Sequence, residues 1–196
     1  MKPTINNFLK TIIRMQNLLV NPKKEWERIA IENLKIKQIF LKFAFSLVVF
    51  CSLISFIGVM IRQRSIGVGI SMFFVSLLSL LAGIYTAAKF VDWLTPNFQL
   101  KIKSEIIFQL VIYSASIFCL FHASSKLFTT YSFLRQIILL AELYFIRILW
   151  IGTGLLLSVT DNKRPGFTIM ASLLIIVLPL IFERMFSILF KLPITI

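Results

Sequence analysis

Acidic residues are scarce in this chain. Eight Asp and Glu are scattered through 196 residues. A carboxylate cage for a divalent cation therefore has little material. No pair of aspartates sits in two apolar runs, which intramembrane aspartyl protease chemistry would need. Histidine occurs once, as His122. That leaves proton relays and His-rich metal sites without partners. Beside Ser124 and Ser125, His122 reads as a satisfied polar residue, because no nucleophile–base–orienter set accompanies it. The two cysteines, Cys51 and Cys119, lie inside apolar runs with no CxxC spacing. They read as small buried side chains, and no disulfide framework is implied. HExxH, the phosphate-binding lysine loop and the glycine-rich dinucleotide fingerprint are all missing. Lys10 and Arg14 interrupt any apolar stretch that could serve as a signal peptide. The expectation is a protein that is not an enzyme, with no metal and no cofactor.

What is present is long apolar sequence. The chain is 58% hydrophobic and 15% charged, with 20 phenylalanines against 7 glycines, and its mean hydropathy is +0.90. Soluble domains hold about 45–50% apolar and about 25% charged residues. A spanning helix needs about 20 mostly apolar residues. Five runs qualify: Ile39–Ile61, Ile66–Val91, Ile106–Ala123, Ile137–Ser158 and Phe167–Phe190. The fold class expected is all-α, a polytopic membrane helix bundle of about five transmembrane helices with N-terminal amphipathic interfacial helices. Residues 1–38 form a basic arm and residues 39–196 the bundle. Ser79, Gly83 and Ala87 on the second run, and Gly152 and Gly154 on the fourth, have the small side chains that let helices approach closely in lipid.

The net charge is +13. Beside such apolar runs the partner implied is an anionic leaflet, with no nucleic acid. With the N-terminus in the cytoplasm, Lys2, Lys10, Arg14, Lys23, Lys24, Arg28, Lys35, Lys37, Lys42, Lys89, Lys101, Lys103, Lys163 and Arg164 fall on the inner side. The outer loops keep Arg62, Arg64, Lys126 and Arg135. This bias sets the orientation N-in and, after five spans, C-terminus out.

The arm is patterned. Ile5, Phe8, Leu9, Ile12, Ile13 and Leu19 recur at helical spacing opposite Asn6, Lys10, Thr11, Arg14 and Asn17. Asn21 can then cap a second helix, with Pro22 in its first position and Glu25 in its first turn. Trp26, Ile29, Ala30 and Leu34 give that helix an apolar side. It suits either an interfacial platform with Trp26 as anchor, or packing on the ends of the spans.

Asn21-Pro22-Lys23-Lys24-Glu25-Trp26-Glu27-Arg28-Ile29-Ala30-Ile31-Glu32 resembles the opening motif of bacterial Yip-domain proteins: a proline, a tryptophan four residues on, an aliphatic residue and a glutamate before the first span. Val111-Ile112-Tyr113-Ser114, the aromatic stretch Tyr144–Gly152 and Asn162-Lys163-Arg164 before Pro165-Gly166 are similar to later motifs of that family. The third-span proline and the aspartate-leucine-tyrosine-glycine-proline motif of the eukaryotic branch are absent. The family is named for interaction with Ypt/Rab-type GTPases. The resemblance implies five spans, a cytoplasmic N-terminus and a partner-binding surface on Pro22, Lys23, Lys24, Trp26, Ile29 and Glu32.

Ionisable residues inside spans are functional candidates because burying charge in lipid is costly. Glu142, Arg147, Glu183 and Arg184 fit that description, and the lipid-binding expectation rests on them. Five residues separate Glu142 from Arg147, about 140° around a helix, so they do not pair within it. Setting the fourth and fifth runs antiparallel pairs Glu142 with Arg184. It brings Arg147 to the Ile175 carbonyl that Pro179 frees, or to a lipid phosphate. The leading functional expectation is a scaffold or adaptor in a bacterial inner membrane that organises lipid or recruits a partner, either another protein or a further copy of itself in a homo-oligomer. The alternative is a small lipid or solute transporter using the charged region of the fourth and fifth spans.

Overall fold

The structure is a computed structural model describing residues 2–32, 34–100, 102–129, 131–157, 159 and 162–192, without the side chains of 2–7. The readings placed on Lys2, Ile5, Asn6, Lys101 and Ser158 lie outside what it describes. Among the described residues the secondary structure is helical throughout. In lipid no water satisfies the backbone, so uncharged runs of this length close their hydrogen bonds internally.

The arm is α1 (Lys2–Val20) and α2 (Pro22–Ile31). Asn21 caps α2 by accepting from the Lys24 amide at 3.3 Å, as its sequence anticipates. The first span, Ile36–Gln63, consists of α3 (Ile36–Ile39), a π turn over Phe40–Ala44 and α4 (Phe45–Gln63). Arg64 turns the chain in left-handed backbone, at φ 50°, and α5 (Ile66–Leu94) returns. The third span contains α6 (Ser104–Ser125). The fourth is divided into α7 (Ser132–Glu142) and α8 (Tyr144–Leu156), with Leu143 at the junction. The last is α9 (Arg164–Leu189). Five helical segments are therefore long and apolar enough to cross a membrane, at nearly the places the hydropathy assigns.

The third span is the axis of the bundle. About 78% of its apolar window is buried, against 33–39% for the other four. Ile107 to Cys119 are buried without interruption. The span carries Gln109, Tyr113, Ser114 and Ser116 within that stretch, and polar groups on a span are turned to the bundle interior, not to a lipid-facing rim. Several polar residues on the spans are met locally: the hydroxyls of Ser52, Ser116 and Thr153 donate to Val48, Tyr113 and Leu149 carbonyls at 2.6–2.8 Å, whereas those of Ser55, Ser114 and Thr168 are buried without a partner among the described residues. Such back-bonding lets a hydroxyl enter the core without an unsatisfied donor.

Ser79, Gly83 and Ala87 are buried on α5. A Cβ at Gly83 would stand 2.5 Å from the Pro179 Cα of α9. The missing side chain lets the two backbones touch, and dispersion over that contact holds spans two and five together. Gly83→Val is expected to cost about 1–3 kcal/mol, read as a lower melting temperature in detergent. Gly67→Ala should leave it unchanged, because nothing lies within 4 Å of that position.

Candidate functional site

Pro22, Glu25, Trp26 and Ile29 are the buried residues of α2. Their spacing puts them on one face, and that face is turned into the bundle. Trp26 is fully buried, and its indole N–H donates to the Ile148 carbonyl of α8 at 3.0 Å. Its ring occupies the notch left at Gly152, where a Cβ would come within 2.7 Å of the indole and of Leu110. Trp26 is therefore a clamp between arm and bundle, and the interfacial-anchor reading is corrected. The physical reason is a matched hole: an indole has both the area and the donor to fill a polar-backed notch.

Arg14 of α1 ties the same joint. Its guanidinium donates to Glu25 Oε1 at 3.2 Å, to Glu32 Oε2 at 2.8 Å and to the Tyr113 hydroxyl at 2.9 Å, and its second terminal nitrogen meets Glu32 Oε1. Asn17 adds a bond to Glu25 at 3.1 Å. Burial opposes the Arg14 charge, but the Glu32 bond and the charges around it raise its proton affinity above the ordinary value. Glu32 also ends α2 at the third span, where its carbonyl accepts from Gln109 at 3.0 Å. A planar guanidinium suits this multiple docking. A polar cavity of about 610 Å³ opens beside the cluster.

The arm helix α1 is rotated from the amphipathic expectation. Thr11, Met15 and Leu18 are buried, and Arg14 faces Tyr113, whereas Leu9 and Ile13 are 52% and 54% exposed. The polar side is recruited inward by the carboxylates of α2, and an apolar side is left facing out. Of the residues named from the motif, only Lys23 and Lys24 stay exposed. Pro22, Trp26, Ile29 and Glu32 face protein.

At the opposite end of the bundle the charged residues of the late spans gather around the third. His122 Nε2 lies 3.1 Å from Glu183, and His122 Nδ1 lies 3.3 Å from Glu142. Lys126 Nζ pairs with Glu183 at 2.6 Å. The helix break at Leu143 turns Glu142 inward. The expected Arg184–Glu142 pair is not formed: Arg184 is exposed, and histidine stands where arginine was expected. Glu142 and Glu183 do lie level, as antiparallel pairing required, because both reach His122. The expected contact of Arg147 with the Ile175 carbonyl is not formed either. Arg147 is exposed and lies over the Tyr144 ring at 5.6 Å. Pro179 packs on Gly83 instead of meeting Arg147. The sequence offered no partner for His122 because its carboxylates come from two other helices. Lys126, Arg14 and Gln109 were not singled out, and their only signal was polarity next to an apolar run.

A pocket of about 370 Å³ opens beside this cluster, lined by residues of all five spans, among them Arg62, His122, Lys126, Arg135, Glu183 and Arg184. Among known proteins, no family model, no curated protein and no solved structure matches the chain.

Trp26→Ala is expected to cost about 3–5 kcal/mol, the usual range for a buried tryptophan truncated to alanine. The arm should then detach, and trypsin should cut at Lys23, Lys24 or Arg28 many times faster than in the parent protein in detergent. Gly152→Val should do the same by filling the notch. Unchanged cleavage in both variants would show that the clamp does not hold the arm. Arg14→Leu strands Glu32 and leaves Glu25 with Asn17 and Arg28 alone, and should be destabilising, seen as a fall in melting temperature that Lys10→Leu does not reproduce.

Proposed function

We propose that the chain is a non-enzymatic membrane scaffold of Yip-domain type, which organises anionic lipid and receives a partner on a rigid basic face. The observation that carries this reading is the direction of the arm. Its motif residues are spent on docking to the bundle, and its cations are left outside. Lys10, Lys23, Lys24, Lys35, Lys37 and Lys42 are exposed on the arm and the start of the first span. Lys89 and Lys103 are exposed at the same end of the bundle. Leu9, Ile13 and Val20 face out beside them. A surface that mixes apolar and basic side chains suits the headgroup layer of an anionic leaflet. The N-in orientation and a bacterial inner membrane belong to the same reading, as does the likeness of Pro22–Glu32 to the family motif.

A second reading, a lipid or solute transporter, has one observation in its favour. Two cavities with charged residues in their lining open at opposite ends of the seam between the first and third spans. The stretch between them is sealed: Leu47, Val48, Cys51, Ser52 and Ser55 of α4 and Ser114 to Cys119 of α6 are buried. A closed seam favours the scaffold.

Each basic residue near an anionic surface contributes about 1 kcal/mol. Discs cut directly from native membranes should therefore be enriched in anionic lipid around the parent protein. Lys23→Gln with Lys24→Gln and Lys37→Gln should reduce that enrichment several-fold while the melting temperature stays constant. Equal enrichment in both, with no co-purifying protein lost, would sink the scaffold reading. Solute flux into liposomes above that of protein-free vesicles would replace it with the transporter.

A further inference from the structure

The pocket at the end opposite the arm is not used by the scaffold reading. We propose that it binds the phosphate of an anionic phospholipid, with Arg62, Arg135 and Arg184 around the headgroup and Leu139 and Leu180 against the upper part of an acyl chain.

The inference starts from charge accounting. Glu183 is already held by Lys126 at 2.6 Å and by His122 at 3.1 Å. Glu142 faces His122 at 3.3 Å, although its buried Oε1 makes no hydrogen bond among the described residues. Both acids near the pocket are thus turned to the third span and not to an arginine. Arg62, Arg135 and Arg184 line the same cavity, and among the described residues none of the three guanidiniums has an ion pair or hydrogen bond. Of the other arginines, Arg64 is exposed outside the pocket and the rest are occupied. Arg14 and Arg28 meet Glu25. Arg147 lies on Tyr144, and Arg164 lies 4.4 Å from the Trp150 ring centroid while donating to the Trp150 carbonyl at 2.6 Å. Three unpartnered guanidiniums from three spans converge on one concavity of about 370 Å³. Their like charges repel in an empty site, and a polyoxygen anion relieves that repulsion.

The chemistry selects phosphate. A guanidinium fork bonds two oxygens of a phosphate at once, and several forks can share one tetrahedral anion. The depth selects a lipid. Arg62 is in the last turn of α4, Arg135 in the first turn of α7, and Arg184 near the end of α9. Span ends stand at the headgroup layer of a bilayer whose hydrocarbon is about 30 Å thick. Leu139 and Leu180 continue the wall with apolar surface, which a free phosphate would leave unused.

Native mass spectrometry of the detergent-solubilised full chain tests the site, using phosphatidylglycerol and phosphatidylcholine of matched chains. The parent protein should retain one phosphatidylglycerol tightly and phosphatidylcholine far more weakly. The triple variant Arg62→Gln, Arg135→Gln, Arg184→Gln should lose at least about tenfold in affinity, since each charged hydrogen bond contributes about 1.5–3 kcal/mol. Its melting temperature should hold, because no acid loses a partner. The Arg64→Gln variant should bind as the parent does, which separates the pocket from the general positive charge of that end. Parent-like affinity in the triple variant overturns the proposal. So does equal binding of the two lipids. Displacement of the lipid by inorganic phosphate would show that a free anion is the ligand and would also overturn it.

Discussion

A membrane helix that carries polar groups along its length, as the third span does with Gln109, Tyr113, Ser114 and Ser116, must be enclosed, and this constraint organises the whole molecule. The third span exposes almost nothing between Ile107 and Cys119. In lipid no hydrophobic force drives helices together, so enclosure depends on close contact and on satisfied polar groups. Neighbouring spans cover most of α6. Near its start the remaining side is closed by the arm, through Trp26, Arg14 and the Glu32 carbonyl. The arm is thus structural before it is anything else. Its exposed lysines inherit a fixed position from residues that the sequence shows as a docking motif.

The same constraint sorts the charges. Ionisable groups that enter the bundle are matched in two clusters. Arg14 with Glu25 and Glu32 lies at the arm, and His122 and Lys126 with Glu142 and Glu183 lie at the far end. Each uses charge of both signs drawn from separate helices, so each also locks helices in register. Buried pairs of this kind contribute little net stability over apolar packing, but removing one member is costly. That makes them register devices first. Beyond the matched clusters, exposed lysines gather on the arm face, and Arg62, Arg135 and Arg184 line the concavity at the far end.

Small residues set how tightly the enclosure closes. Gly83 lets Pro179 reach the α5 backbone, and Gly152 makes room for Trp26. One contact joins spans two and five, and the other joins the arm to span four. Both work through a missing Cβ rather than through backbone freedom.

The sequence by itself determined the membrane class, the five spans to within a few residues, the Asn21–Pro22 restart of α2 and the small-residue stripe of α5. These are local or compositional properties: hydropathy over 20 residues, capping chemistry and side-chain size act within one helix. The third dimension decided the rest. Trp26 was legible as an important aromatic but not as a buried one, because its notch is made by Gly152 and Leu110, far along the chain. Arg14 read as the polar face of an amphipathic helix, and its carboxylate partners on α2 turned that face inward. Glu142 and Glu183 were recognised as costly charges, yet their partner, His122, lay on a third helix that no two-helix pairing includes. Which charges meet depends on how helices are rotated about their axes. That rotation is settled by packing among several helices at once, which no single run of sequence contains.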